Sequence, residues 1–288
     1  MQALRRATGF VLALSILTLS ERVDAACNRP DLIFSVPPPG ATGVPPNAKL
    51  FARYRLNAEY DGEDVTLESS AGSSESLTAD WNSAETLLSV APALESGGTY
   101  TVTWPRLRGI NSANLGKGGT AEFSVGSAPD ADPPAFAGLT GLSWDVDRER
   151  DDCTDSLEDR YVFDFDLADA SDDGGRESLM VVVFQTRGPH VKSSAPEPIS
   201  VQRMPEGNRV RVTRTLDDGE GDVCFAAVTR DLTGKVSASG AEEVCTTTVA
   251  PPFFNGCALA SAPTESRGAA AWVAALGAAL LFFRRGGR

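Results

Sequence analysis

Tyr161-Val162-Phe163-Asp164-Phe165-Asp166-Leu167 alternates without a break: Tyr161, Phe163, Phe165 and Leu167 fall on one side, Val162 and the two aspartates on the other. Successive side chains of a strand leave opposite faces, so this stretch predicts a strand with one buried and one wet face. Downstream, residues 179–184 (LMVVVF) are apolar on both faces and predict a central strand. Residues 209–215 alternate Val with Arg and Thr. Residues 223–229 then lead through the turn Asp231-Leu232-Thr233-Gly234 into residues 236–248, a terminal hairpin. Together these segments define a β-sandwich over residues 135–250.

Upstream the same grammar recurs over residues 26–125. Residues 50–56 (LFARYRL) and 100–104 (YTVTW) alternate, residues 121–125 close the set, and 64–67 and 87–90 read as short strands. Nowhere between the two ends does helical periodicity persist. The fold class is therefore all-β, two tandem sandwiches, with an N-terminal signal helix and a C-terminal transmembrane helix outside them. Residues 126–134 (GSAPDADPP) form a linker whose Pro and Asp content disfavours packing, so the two sandwiches should fold independently. Residues 37–45 (PPPGATGVP) cannot be a central strand. Their prolines and glycines predict an edge segment crossing from one sheet to the other.

Two of these stretches carry family resemblances. PPPGATGVPPNAKLFARY (residues 37–54) resembles the opening of the bacterial Ig-like domain of surface-layer proteins and cell-surface enzymes, where P-x-x-G-A-T-x-V-P precedes the first core strand. Residues 94–102 (LESGGTYTV) match that family's L-x-x-G-x-T-Y-x-V turn and strand. Tyr54-Arg55-Leu56 replaces the Phe-Ser-Glu often found there, so no role of that glutamate is carried over. VCFAAVTRDLTGKVSAS (residues 223–239) resembles the last hairpin of fibronectin type III-like domains, with its D-x-x-G turn. The resemblances imply an Ig-like first sandwich and a fibronectin-like second one.

The two ends read as sorting devices. Arg5 and Arg6 precede an apolar run, residues 9–19, and Val23-Asp24-Ala25 offers the small residues a signal peptidase cuts after, predicting a signal peptide over residues 1–25 that ends at Ala25. Lipidation at Cys27 would need an aliphatic residue where Asp24 stands. At the other end, in segment 251–288, residues 268–283 (GAAAWVAALGAALLFF) are uncharged and would make a helix about 24 Å long at ~1.5 Å per residue. Arg284, Arg285 and Arg288 follow, the positive charge that stays cytoplasmic. A plain anchor and an Ala-rich core helix are the alternatives. Gly256-Cys257, a Ser/Ala/Pro spacer, the apolar helix and the Arg cluster together resemble the myxobacterial C-terminal sorting signal. That resemblance implies cleavage near Cys257 by a membrane-bound sorting protease and display on the cell surface or outer membrane.

Charge narrows the partners. The chain carries 26 basic and 39 acidic side chains, a net charge of −13, and only 7 of the basic and 3 of the acidic ones lie in residues 1–25 and 257–288. So acidic a body disfavours nucleic acid and anionic lipid, whose phosphates are bound through Lys and Arg. The partners expected are the membrane through the C-terminal helix, the two proteases, and a protein or carbohydrate ligand.

Five cysteines occur, with no CxxC spacing. Leaving Cys257 to the tail, Cys27, Cys153, Cys224 and Cys245 allow two disulfides in an oxidising compartment. Cys224 and Cys245 sit on the two arms of the terminal hairpin, nearly equidistant from its turn, and are the favoured pair. Cys153 pairing with either, or Cys27–Cys153 stapling the sandwiches, stays open.

Catalytic material is scarce. His190 is the single histidine and stands in a Gly-Pro-His turn, and no GxSxG, HExxH or P-loop pattern occurs. The acidic stretches 145–152 (DVDRERDD) and 164–173 (DFDLADASDD) place carboxylates near loop ends, the oxygen-rich setting calcium prefers. Asp166, Asp169, Asp172 and Asp173 are the candidate ligands, and a solvated acidic rim is the alternative. No other cofactor is called for. Paired carboxylates also occur in glycosidases, but Trp81, Trp104, Trp144 and Trp272 are too scattered to line a sugar cleft. The expectation is a non-enzymatic surface protein, structural or adhesive. A carbohydrate- or protein-binding accessory module of a secreted complex is the second choice, and a glycoside-acting enzyme a remote third.

Overall fold

The computed structural model describes residues 29–55, 58–110, 115–150, 157–189, 191, 196, 198–238 and 243–249. Ala25, Cys27, Cys153, His190, Gly256, Cys257, Arg284, Arg285 and the apolar run 268–283 lie outside the described residues. The chain divides into two compact units, Met1–Thr248 and Val249–Arg288. The first contains both sandwiches.

The N-terminal sandwich is built from β1 (Leu32–Val36), β2 (Ala41–Val44), β3 (Leu50–Tyr54), β4 (Ala58–Glu59), β5 (Val65–Ser69), β6 (Ser74–Leu77), β7 (Asp80–Asn82), β8 (Leu87–Val90), β9 (Thr99–Trp104), β10 (Arg108–Gly109) and β11 (Gly119–Val125). One sheet runs β1-β3-β8-β7, the facing one β2-β11-β9-β5-β6, and β4 and β10 form a small ribbon. Leu50, Ala52 and Tyr54 from the first sheet share a core with Val65, Leu67, Val102, Trp104 and Phe123 from the second. The proline-rich segment does cross between sheets: β1 edges one and β2, parallel to β11, edges the other. Gly40 and Gly43 have φ of +81° and +73°, a conformation costly for any side chain, and make the crossing tight.

The C-terminal sandwich follows: β12 (Ala135–Phe136), β13 (Leu139–Arg150), β14 (Leu157–Leu167), β15 (Ala170–Ser171), β16 (Met180–Arg187), β17 (Pro198–Arg203), β18 (Arg209–Thr215), β19 (Gly221–Arg230) and β20 (Val244–Thr248). Its sheets are β13-β14-β18 and β17-β16-β19-β20. Tyr161, Phe163, Phe165 and Leu167 are all buried, and Phe163 and Phe165 meet Phe225 of the opposite sheet at 4.8 and 5.0 Å between ring centres. On the outer face Asp164 and Asp166 stand directly across from Arg211 and Arg209 and pair with them at 2.9 and 3.1 Å. Val162, assigned to the same outer face, is only 6 % exposed between its strand neighbours Asp145 and Thr213. Cys224 and Cys245 face each other on β19 and β20 and are joined by a disulfide.

Two expectations need correction. The sequence places the carboxylates of the stretch 145–152 near loop ends. Asp145 and Asp147 instead lie inside β13, within a long hairpin with β14. The alternation Trp144-Asp145-Val146-Asp147 is a strand pattern that the density of charge disguised. The Pro and Asp content of residues 126–134 predicts a linker that stays out of the packing. Asp130 in its middle is only 3 % exposed.

That burial belongs to a broad junction. Met180, Val182, Val201 and Leu232 of the second sandwich lie in the same buried apolar cluster as the core of the first. β16 is therefore apolar on both faces for two reasons: Val181 and Val183 enter its own core, and Met180 and Val182 enter the cluster shared with the neighbour. Arg230 adds a two-pronged ion pair to Glu85 at 2.6 and 2.8 Å, with Glu85 only 6 % exposed. Arg203 donates to the Ser35 carbonyl at 3.1 Å and covers the Phe34 ring.

Candidate metal centre

The turn after β19 is organised by one carboxylate. Asp231 Oδ1 accepts from the Thr233 amide, the Thr233 hydroxyl and the Lys235 amide, each at 2.8 Å. An aspartate folding the backbone ahead of it is a common turn device, and Gly234, at φ +86°, completes the reversal. The turn carries Leu232 into the shared apolar cluster and leaves Asp231 fully buried. Its second oxygen, Oδ2, has no hydrogen-bond partner.

Asp130 arrives from the linker. Asn47 clips its backbone with two hydrogen bonds: Asn47 Nδ2 donates to the Asp130 carbonyl at 2.8 Å, and the Asp130 amide donates to Asn47 Oδ1 at 2.9 Å. Held so, the carboxylate is buried, and neither oxygen accepts a hydrogen bond. Lys235 Nζ stands 3.7 Å from Oδ1 and donates to the Asp130 carbonyl at 3.0 Å.

Asp172 is delivered by the ribbon of β12 and β15, in which Ala135 pairs with Ser171 and Phe136 with Ala170. It begins a turn: its Oδ2 accepts from the Gly174 amide at 3.1 Å and its carbonyl from the Gly175 amide at 3.1 Å. The carboxylates of Asp130, Asp172 and Asp231 thus converge, one oxygen of each within 4.8 Å of the others. Burial pushes the Asp172 carboxyl up to about 6, with Asp130, Asp231 and Asp173 adding repulsion. Burial likewise raises Asp130, beside Asp231 and against the pull of Lys235. Carboxylates alone offer only anionic oxygen, so the chemistry open to this group is capture of a proton or a hard cation.

Of the four aspartates proposed from sequence, the structure brings only Asp172 into this group. Asp166 is committed to Arg209 on the outer sheet face, and Asp169 accepts from Asn208 Nδ2 at 2.7 Å. Asp173 is exposed and borders a cleft with Asp132, Pro133, Ala135, Ser171 and Asp172. Asp130 and Asp231 were missed. One lies in a segment that reads as a linker and the other in a turn, and no spacing rule ties residues so far apart in the chain. A second acidic group, Glu243 beside Cys224 and Cys245, offers no thiolate because both sulfurs are in the disulfide.

The architecture is that of two β-sandwiches in tandem, packed together through this junction. No family model and no curated protein sequence matches the chain. Among solved structures, the BSP domain of a biofilm associated protein is similar at 14 % identity and a TM-score of 0.22, over 78 % of this chain and 30 % of that one. The FN1–FN3 domains of chicken CNTN1 match at 12 % and 0.25, over 76 % and 67 % of the two chains. Fibronectin(III)-like modules of Clostridium thermocellum CbhA match at 11 % and 0.24, over 72 % and 88 %. Likenesses this distant say nothing about activity.

Proposed function

We propose that this chain is an exported surface protein whose two sandwiches work as one stiff, non-catalytic arm, serving structure or adhesion at the cell exterior. The observation that supports this best is the junction. Shared apolar burial, the Glu85–Arg230 pair and the clipped linker resist bending between the modules, which suits a spacer or presenting element. The acidic body keeps such an arm soluble and off phosphate surfaces. Among the described residues the exposed large apolar side chains are Ile33, Ile110, Leu157, Val236 and Val249, none of them aromatic. A carbohydrate-binding face would stack sugars on exposed rings, so the spacer reading is preferred to the accessory-module one.

Delivery follows from the two ends: signal peptidase cuts after Ala25, and a sorting protease acts at Gly256-Cys257 ahead of the apolar helix and Arg284-Arg285. Intact-mass analysis of protein recovered from the cell surface tests this. The expected species begins at Ala26 and ends near Cys257, and Cys257→Ala leaves a precursor heavier by the tail in the inner membrane. Surface material retaining Leu12, or equal display of the Cys257→Ala and unmodified chains, contradicts the delivery scheme.

A further inference from the structure

We infer that Asp130, Asp172 and Asp231 form a calcium site that locks the two sandwiches together. Two observations beyond the convergence of acidic groups point to a ligand. Asp130 is 3 % exposed with neither carboxylate oxygen in a hydrogen bond, Oδ1 having only Lys235 Nζ at 3.7 Å, and Asp231 is 0 % exposed with no hydrogen bond to Oδ2. Buried carboxylate oxygens are ordinarily satisfied, and leaving several so in one place is costly. Nor is the charge balanced. Among the described residues Lys235 is the one cation in ion-pairing range of the three carboxylates, which leaves the equivalent of a divalent charge uncompensated.

Size and ligand type select the ion. Calcium–oxygen bonds of about 2.4 Å let one ion be shared by oxygens this close together, since one oxygen of each carboxylate lies within 4.8 Å of the others. All-oxygen ligands exclude the thiophilic metals' preference, and calcium tolerates the irregular geometry of three ligands drawn from a linker, a ribbon and a turn. Its remaining positions would be filled by water from the cleft beside Asp172, which is only half-buried. Asp130 leaves the first sandwich and Asp231 tips the second, so one ion would bridge them. Only the supply of calcium rests on the exported, surface reading. The chemistry of the site does not.

The test is calcium binding to the EDTA-treated full chain by calorimetry, together with the melting temperature at zero and 10 mM calcium chloride. One equivalent should bind with Kd between about 0.1 and 1 mM, the range of extracellular modules, and raise Tm by about 3 °C or more. Asp130→Asn preserves shape and gives up the 3.7 Å ion pair with Lys235 in exchange for relieving repulsion from Asp172 and Asp231. It should leave the metal-free Tm unchanged or higher, weaken calcium at least about tenfold and abolish the shift. Asp231→Asn, which keeps the Oδ1 acceptor of the turn, should behave alike. Should Asp231→Asn fail to fold, Asp130→Asn decides alone. Asp80→Asn, on the exposed β7 surface, should match the unmodified chain. Absence of a calcium shift in the unmodified chain, or an equal shift in Asp130→Asn, overturns the site. Neither result bears on surface display, which is read from cells.

Discussion

At the residue scale, Asp231 has two oxygens with separate roles. Oδ1 folds the turn through three hydrogen bonds, while Oδ2 is buried without a hydrogen-bond partner. A substitution that keeps the first oxygen and neutralises the second therefore separates turn formation from charge. Cys224 and Cys245 act locally in a different way, tying β19 to β20 across a sequence separation of 21. In the chain-entropy account such a closure contributes about 3 kcal/mol by restricting the unfolded chain. The double change to Ser should lower the unfolding free energy by about that amount in urea titrations. Peptide mapping under non-reducing conditions should return the 224–245 pair, and recovery of Cys153 joined to either partner would refute it.

At the scale of elements, β16 and the turn after β19 carry the junction. Leu232 is fully buried in the cluster shared with the first sandwich. Leu232→Ala should cost about 2–5 kcal/mol, the usual range for a buried leucine, and should loosen the contact between sandwiches more than either core. Hydrogen exchange would register this as faster exchange around Asn47–Lys49 and residues 230–235, with β14 still protected. Exchange accelerated equally in β14 would mean Leu232 supports the second core instead. The elements themselves were largely legible in the sequence, because alternation at Tyr161–Leu167 and 209–215 reports burial directly. β13 was not, since its outer face is so charged that it read as a loop. The doubly apolar run in β16 correctly predicted a central strand, but a sequence cannot say that its second face meets another module. The disulfide was one of several open pairings until cross-strand register selected it.

At the scale of the whole molecule, the two sandwiches behave in the structure as one body and not as beads on an open linker. Met180, Val182, Val201 and Leu232 would each lose about 1.5–3 kcal/mol of apolar burial if exposed by parting the sandwiches. The Glu85–Arg230 pair would be broken at the same step, and Asp130 released from Asn47. The candidate site was hidden from the sequence because its three carboxylates come from a linker, a ribbon and a turn far apart in the chain, which only the folded protein brings together. Differential scanning calorimetry of the metal-free chain tests this most directly. The account predicts one cooperative transition whose calorimetric and van't Hoff enthalpies agree, both sandwiches unfolding as a unit. Two resolved transitions, each with the enthalpy of a single sandwich, would contradict it.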